Sequence, residues 1–235
     1  MINNLIKTLI RVGIKPIASN PKIFEFFRKN VESHYLKHNL RKLDVAISTV
    51  YDIGANKGEW SKELSKTLPE AKFYLFEANE KNKKKLKDSG FEYFINCLSH
   101  SEGTAEFFEV GGTGDSIYKE ESEVYSSVKP KIIRTTTLDK LQESKNLKKP
   151  DFIKIDTQGS EIDILKGASS IIKTCKLIQL EISITQTNLN APTIGEYLDF
   201  MKEIDFIPLD IIEKHNRFKT ELSQVDILFL RKEYT

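Results

Sequence analysis

The sequence predicts an α/β fold, because apolar runs typical of strands alternate with amphipathic helical segments from residue 48 onward. A first strand is predicted at Thr49–Ile53 and a second at Lys72–Glu77, each followed by a polar helical segment. Between the first strand and its helix lies a turn that contains two glycines, at residues 54–58. This succession of strand, tight turn and helix is how a Rossmann βαβ unit begins.

Further elements follow along the chain. Strands are predicted at Tyr93–Leu98, Asp151–Asp156, Leu177–Ile182, Phe206–Ile212 and Val225–Leu230, and helices at 81–88, 161–173 and 193–204. Two β-rich stretches, 103–110 and 132–137, enclose a loop rich in glycine and serine, and such long loops are usually functional or mobile. The loop between the last two strands is too short for a crossover helix, so they pair antiparallel or form a hairpin-like excursion.

The turn after the first strand and an acidic residue after the second indicate a nucleoside-binding site. Gly54 and Gly58 allow the backbone to turn sharply and approach a ligand, while Glu77 suits the two hydroxyls of a ribose. Asn56 stands where the dinucleotide fingerprint requires its second glycine, so close approach of a pyrophosphate is not specified. Asp52 would repel a diphosphate but suits a cation. A cofactor with a ribose and a positive charge but no phosphate points to S-adenosylmethionine.

Six sequence blocks extend this pattern along the chain: Asp52-Ile53-Gly54-Ala55-Asn56-Lys57-Gly58, Phe76-Glu77-Ala78, Thr137-Leu138-Asp139, Asp151–Glu161, Leu165-Lys166-Gly167-Ala168 and Gln224–Phe229. In this order they resemble the FkbM family of S-adenosylmethionine-dependent methyltransferases, over roughly residues 48–232. The resemblance implies a Rossmann-like class I methyltransferase fold with a mostly parallel seven-stranded sheet and an antiparallel last strand. The chain departs from the family at Gln158, where an acidic residue is usual.

Ligands of doubly wound sheets bind beyond the carboxyl ends of the strands, which gives the candidate site residues. The candidate cofactor-binding residues are Asp52, Gly54, Asn56, Gly58, Glu77, Ala78, Leu98 and Ser99. Asp156, at the end of the fourth strand, would orient the methyl acceptor or accept its proton, and His215 is a second candidate base. The candidate substrate-binding residues are Gln158 and Glu181, together with Ser116 and Tyr118 on the long loop, which is expected to lie over this edge of the sheet.

Three further features have alternative interpretations. Asp156 and Glu181 would together suit a divalent cation. This is not favoured, because the neutral Gln158 weakens the charge that such a site needs, and no metal ligand is assigned. His100 is another candidate base, although an ordinary loop histidine is favoured. Glu161 is expected to be a first-turn acid stabilised by the helix dipole.

The chain is predicted to contain a helical N-terminal appendage, residues 1–47, and one methyltransferase domain, residues 48–235. Nine basic and three acidic residues give residues 1–48 a net charge of +6. Their amphipathic pattern fits a helical cap on the domain, and the alternative is peripheral membrane contact through residues 1–20. Cys97 and Cys175 form no disulfide framework, and the start of the chain has no uninterrupted apolar segment. A cytoplasmic protein is therefore expected, with the inner membrane surface as the alternative location.

The resemblance implies methylation of a hydroxyl in a sugar, glycan or small metabolite, and this is the predicted function. An NAD-dependent sugar or alcohol oxidoreductase and a non-catalytic S-adenosylmethionine-binding protein are the alternatives, and N-methylation stays open. Nucleic acid is not expected as a partner, because 36 basic and 34 acidic residues leave a net charge of only +2. The sequence does not determine the oligomeric state.

Overall fold

The computed structural model describes residues 35–43, 45–111, 114–119, 127–185, 188–217 and 221–235. The chain divides into two compact units after Leu43. In the described part of the first unit, residues 35–42 form helix α1, in which Leu36 and Asn39 are buried. The segment 1–20, considered above for membrane contact, lies outside the described residues. Among the described helices, none is long and apolar enough to cross a bilayer.

The main sheet is built from strands β1 (Thr49–Ile53), β2 (Lys72–Glu77), β3 (Glu92–Ile95), β7 (Phe152–Ile155), β8 (Leu177–Ser183), β9 (Phe206–Arg217) and β10 (Glu221–Arg231). Within the described residues these seven strands lie in the order β3-β2-β1-β7-β8-β10-β9. The pairs from β3 to β8 are parallel, whereas β10 runs antiparallel to both of its neighbours. The mostly parallel sheet with a reversed last strand is therefore confirmed.

A small second sheet contains β4 (Cys97–Leu98), β5 (Gly103–Phe107) and β6 (Lys131–Thr136) in the order β4-β6-β5. The sequence predicted one strand from Tyr93 to Leu98, but the structure divides this stretch between the two sheets. The division occurs because β2 ends at Glu77, whose carbonyl accepts a hydrogen bond from Asn96 N at 2.9 Å. The chain beyond Asn96 has passed the end of β2 and pairs with β6 instead.

The helices of the second unit are α2 (Glu59–Ser65), α3 (Lys83–Asp88), α4 (Leu138–Ser144), α5 (Glu161–Lys166), α6 (Ser169–Ile172) and α7 (Ile194–Glu203). The helix predicted over residues 161–173 is interrupted between α5 and α6. Gly167 lies at this interruption, where an added Cβ would stand 2.2 Å from the carbonyl oxygen of Ser99. Helix α7 begins with a capping box formed by Thr193 and Glu196.

Three polar residues lie in the buried centre of the main sheet. Strands of a parallel sheet covered on both faces are usually apolar throughout, and β1 and β7 are buried along their whole length. Nevertheless Asp52 on β1 is in register with Lys154 on β7, which is in register with Gln179 on β8. These side chains therefore share one face, and each residue is at most 5% exposed. This polar row crosses the three adjacent strands β1, β7 and β8.

Asp151 joins the beginnings of β1 and β7. Its Oδ2 accepts hydrogen bonds from Ser48 N at 2.8 Å, Ser48 Oγ at 2.7 Å and Thr49 N at 3.1 Å. Its Oδ1 lies 2.7 Å from Lys176 Nζ. Partial burial alone would raise the pKa of Asp151, but the ion pair with Lys176 and the bonds from Ser48 hold that pKa below its usual value of 3.8.

We expect Asp151→Asn to lower the free energy of unfolding by about 1 to 3 kcal/mol at pH 7, since hydrogen bonds to a charged group are lost. The pKa of Asp151 is lower in the folded state than in the unfolded state. The difference in free energy of unfolding between wild type and Asp151→Asn is therefore fully present above the unfolded-state pKa of 3.8, and it is lost as the pH falls through the folded-state pKa. Urea unfolding at pH 7 and at pH 3 measures this. Asp205→Asn, at an exposed carboxylate, is the control. An Asp151→Asn deficit that is equal at both pH values would contradict the expectation.

Candidate active site

The turn after β1 is held against the ends of its two neighbouring strands. Gly54 N and Ala55 N both donate to the carbonyl of Phe76, at 2.9 and 3.0 Å. Gly54 has a φ of +75°, and an added Cβ would lie 1.8 Å from the carbonyl oxygen of Asp156. Glycine is therefore required at position 54 by both the backbone conformation and the contact with the end of β7. Gly58, also at φ +75°, is the N-cap residue of α2.

Glu77 connects this turn to the one after β2. It is 7% exposed, and its two carboxylate oxygens accept from Asn56 N at 2.6 Å and Asn79 N at 2.7 Å. Burial raises the pKa of Glu77, although these backbone bonds oppose the rise. The side chain of Asn82 donates a third hydrogen bond to this carboxylate, and the remaining lone-pair capacity lets Glu77 hold the turn and still accept from a ligand hydroxyl.

The other candidate cofactor-binding residues follow the neighbouring strands. Ala78 comes directly after Glu77, while Leu98 ends β4 and Ser99 N donates to the carbonyl of Thr136 in the second sheet at 2.9 Å. Both Leu98 and Ser99 are buried. His100, the next residue, has its Nδ1 3.8 Å from a carboxylate oxygen of Asp163, and this contact fits the interpretation of an ordinary loop histidine.

Asp52 lies on β1, two residues before Gly54, and one of its two carboxylate oxygens is unsatisfied. Its Oδ2 accepts from Ser61 Oγ of α2 at 2.6 Å, whereas its buried Oδ1 has no hydrogen-bond partner among the described residues. Burial raises the pKa of Asp52, and the charge of Lys154 opposes this. An orphaned acceptor two residues before Gly54, together with the free acceptor capacity of Glu77, fits a ligand that carries hydrogen-bond donors, as S-adenosylmethionine does.

Asp156, the candidate acceptor-orienting residue, follows β7 and is kept ionised by a lysine. Lys154 Nζ lies 2.8 Å from Asp156 Oδ2, and Gln158 Nε2 donates to Asp156 Oδ1 at 3.2 Å. Burial alone would raise the pKa of Asp156, but the charge and hydrogen bond of Lys154 hold that pKa below its usual range. Lys154 itself is 5% exposed, and its Nζ also lies 5.6 Å from the ring centroid of Trp60.

Glu161 has a role that the sequence did not indicate. Its fully buried carboxylate accepts from Thr157 N at 2.9 Å, Thr157 Oγ1 at 3.0 Å and Gly159 N, as well as from the hydroxyl of Tyr197. Glu161 therefore fixes the turn that carries Gln158, whose φ is +57°. Burial raises the pKa of Glu161, although the bond from Tyr197 opposes this. Glu161 is a structural anchor as well as a first-turn acid of α5.

Gln158 and Glu181, both candidate substrate-binding residues, are brought together with Gln224. Gln158 Nε2 donates to Glu181 Oε2, and Gln224 Nε2 lies 3.1 Å from the same oxygen. Gln224 Nε2 also lies 3.2 Å from Gln158 Oε1. Burial, together with the charges of Asp156 and Asp226, raises the pKa of Glu181 well above its usual value.

His215 and Asp226 complete this cluster from the hairpin of β9 and β10. His215 Nε2 lies 3.3 Å from Asp226 Oδ1 and 3.8 Å from Glu181 Oε1. Asp226 is in register with Glu181 across the antiparallel pair β8–β10, so the two side chains share one face. Sequence reasoning missed Asp226 and Gln224 as site residues. The available signal was an acidic residue within a strongly apolar strand.

Ser116 and Tyr118 pack beside the cluster. Ser116 is 2% exposed, and its hydroxyl donates to the carbonyl of Gln158 at 2.9 Å. The hydroxyl of Tyr118 donates to Asp163 Oδ2 at 2.8 Å. In the described residues Ser116 therefore supports the turn at residues 157–159 and Tyr118 is bound to α5. Direct contact of either residue with a substrate stays a prediction.

The strand order, the reversed last strand and the glycine turn at the carboxyl edge define a Rossmann-like class I methyltransferase. A family model described as the methyltransferase FkbM domain matches residues 52–208, which is more than half of the chain. The chain therefore belongs to the FkbM methyltransferase family and is an S-adenosylmethionine-dependent methyltransferase. The family match decides against the oxidoreductase alternative. No curated protein sequence matches the chain.

Solved structures are similar to this chain at low sequence identity. The cofactor-bound protein Rv0187 from MTB matches with a TM-score of 0.51 and 11% identity, over 87% of this chain and 80% of that chain. The precorrin-6y C5,15-methyltransferase from Geobacter metallireducens GS-15 matches with a TM-score of 0.45 and 13% identity, over 81% and 84% of the two chains. The Methanococcus jannaschii fibrillarin pre-rRNA processing protein gives 0.46 and 15%, over 81% and 70%.

We expect Gly54→Ala to abolish binding of S-adenosylhomocysteine and to lower the midpoint of urea unfolding, because the new Cβ would overlap the carbonyl of Asp156. Gly90→Ala is a matched control, since Gly90 has a φ of +81° but no atom within 4 Å of an added Cβ. It carries only the left-handed backbone cost of about 1 to 2 kcal/mol. Calorimetric titration and urea unfolding of both variants measure the difference. Equal effects at the two positions would show that the contact with Asp156 is unimportant.

Proposed function

We propose that the protein transfers a methyl group to a hydroxyl of a sugar, a glycan or a small metabolite. The observation that carries this proposal is the cluster of hydrogen-bonding side chains at the carboxyl ends of β7 and β8 and on the β9–β10 hairpin: Asp156, Gln158, Glu181, His215 and Gln224. Such a surface suits an acceptor with several hydroxyl groups, because each amide and carboxyl group can exchange an internal hydrogen bond for one to the acceptor.

We infer that the cofactor lies over the turn after β1. Glu77 accepts hydrogen bonds from the two ribose hydroxyls, and the Asp52–Gly58 turn surrounds the amino-acid part. The buried and unsatisfied Oδ1 of Asp52 supports this assignment. Ala78, Leu98 and Ser99 line the adenine side, as inferred from their positions after β2 and at the end of β4. When bound, S-adenosylmethionine supplies a methyl group activated by a sulfonium.

Asp156 is the residue proposed to handle the acceptor. Its carboxylate accepts a hydrogen bond from the acceptor hydroxyl and so directs an oxygen lone pair towards the methyl group. As the new carbon–oxygen bond forms, the hydroxyl proton becomes strongly acidic. A carboxylate with a lowered pKa, held ionised by Lys154, can therefore receive that proton. The contact between Gly54 and the carbonyl of Asp156 brings the cofactor turn and the acceptor side together.

The cofactor assignment predicts that Glu77→Ala weakens S-adenosylhomocysteine binding at least about tenfold, because two charge-assisted hydrogen bonds are lost. Glu80→Ala removes a highly exposed carboxylate three residues away and is the matched control. Isothermal titration of both variants with S-adenosylhomocysteine measures the effect, and NAD is titrated in parallel. Binding of NAD alone, or unchanged affinity in Glu77→Ala, would contradict the assignment.

The acceptor assignment predicts that Asp156→Asn lowers kcat about 100-fold or more, the usual range for loss of a proton-transfer group. S-adenosylhomocysteine affinity is expected to stay within about threefold of wild type, since the cofactor turn keeps its own hydrogen bonds. Asp199→Asn, on the exposed surface of α7, is the control. Transfer of labelled methyl groups to a panel of sugars, alcohols and amines identifies the acceptor class.

Urea unfolding of Asp156→Asn checks that loss of the Lys154 ion pair has not unfolded the chain. Methylation of amines but of no hydroxyl compound would overturn the proposed acceptor. An unchanged kcat in Asp156→Asn would remove Asp156 from the reaction while leaving the family assignment intact.

A further inference from the structure

Glu181, His215 and Asp226 form a compact group of three potential metal ligands. One donor atom from each residue lies within 4.8 Å of the other two, and they come from the three adjacent strands β8, β9 and β10. His215 Nε2 is 3.3 Å from Asp226 Oδ1 and 3.8 Å from Glu181 Oε1. This set differs from the Asp156–Glu181 pair that the sequence suggested, because the hairpin supplies a nitrogen and a second carboxylate.

The spacing of these donors fits a shared ion. Nitrogen and oxygen ligands lie about 2.0 to 2.2 Å from a divalent transition metal, so tetrahedral neighbours are roughly 3.4 Å apart. The two distances from His215 Nε2 bracket this value. Only small side-chain rotations would therefore bring all three donors to a common centre. Because the three residues lie on paired strands of one sheet, the sheet holds their backbones in place without an ion.

The ligands also have the supporting contacts that metal sites require. Gln179 Nε2 donates to Asp226 Oδ2 at 2.8 Å, which leaves Oδ1 turned towards His215. Gln224 Nε2 lies 3.1 Å from Glu181 Oε2, which leaves Oε1 on the His215 side. Hydrogen bonds of this kind orient ligating carboxylates and affect metal affinity. Gln179 is completely buried and Asp226 is 4% exposed, so the site is shielded from water on the sheet side.

The charge of the surrounding residues favours a cation. Four carboxyl groups interact across this face of the sheet, namely Asp52, Asp156, Glu181 and Asp226, and a fifth, Glu213, has its Oε2 3.9 Å from His215 Nε2. Lys154 is the one ammonium group that contacts them among the described residues. The carboxyl groups on this face therefore outnumber the ammonium groups that contact them. A divalent ion would offset this excess within a poorly solvated region.

We propose that Glu181, His215 and Asp226 bind a divalent transition-metal ion. The single imidazole favours ions such as Zn²⁺ or Mn²⁺ over Ca²⁺, since Ca²⁺ prefers oxygen ligands alone. Three protein ligands leave open coordination positions, as in catalytic metal sites. This inference deepens the proposed function and rests on it for one point: Gln158 Nε2 donates to both Glu181 and Asp156, so the ion would lie near the proposed position of the acceptor hydroxyl, whose acidity it would increase.

The test is direct binding of metal to the full chain after treatment with a chelator. Isothermal titration with Zn²⁺ and with Mn²⁺ is expected to give one site per chain. Asp226→Asn and His215→Gln should each weaken that site at least about tenfold, since a ligand is replaced by a poorer one. Two matched controls leave the cluster intact: Asp199→Asn and His38→Gln, each at an exposed position, should bind as wild type. S-adenosylhomocysteine binding of every variant verifies that the fold is retained.

The outcomes separate this proposal from the proposed function. The proposed metal site would be overturned if the wild type binds no metal, or if both Asp226→Asn and His215→Gln bind metal with unchanged affinity. Methyl transfer by the metal-free chain would still leave the proposed function standing. Conversely, metal binding that depends on these residues supports the site even when no hydroxyl acceptor is found. Methyl transfer with added Mn²⁺ should exceed transfer with chelator at least about tenfold, and equal rates would remove the ion from the reaction.

Discussion

The ammonium group of Lys154 is the charge on which the arrangement of the candidate active site depends. It lies on the central strand β7, is 5% exposed, and pairs with Asp156 Oδ2 at 2.8 Å. Burial alone would lower the pKa of Lys154, but the surrounding carboxylates of Asp156, Asp52 and Asp226 raise it, so the ammonium group remains charged. In turn Lys154 keeps Asp156 ionised. Removing both charges from water is costly, so the buried pair adds little net stability. Its effect is to keep Asp156 ionised and to hold the carboxylate of Asp156 in position.

A second constraint connects this charge to the cofactor turn. Gly54 packs against the backbone carbonyl of Asp156, so the turn after β1 and the end of β7 have a fixed separation. On the other side of the turn, Glu77 binds the backbone N–H of Asn56, whose φ is +49°. Asparagine tolerates this left-handed conformation better than most residues, so it can stand where the dinucleotide fingerprint has glycine. Backbone geometry at the turn proposed to bind the cofactor and charge at the proposed acceptor side are thus set by the same strand ends.

The fold could be predicted further than the site. Apolar runs and glycine turns predict every strand of the main sheet, because burial leaves a strong local signal in β1, β7 and β8. The break between Ile95 and Cys97 could not be predicted locally, since it depends on where β2 ends. Likewise, the helix dipole is a sufficient reason for an acidic residue at position 161. Nothing near Glu161 in the sequence therefore points to Tyr197 as its hydrogen-bond partner. The sequence identified the candidate acceptor-binding residues one at a time, but it did not predict that they contact one another. Those contacts depend on strand register, which no single segment of the sequence specifies.

The hairpin of β9 and β10 explains how a methyltransferase sheet with a reversed last strand can complete such a site. Because β10 is antiparallel to β8, its first residues, and not its last, lie beside the carboxyl end of β8. The hairpin therefore brings His215, near the end of β9, and Asp226, in the middle of β10, to the same place beside Glu181. A parallel strand beside β8 would present only its carboxyl end there. Reversal thus lets two strands that follow each other in the chain both contribute side chains beside Glu181.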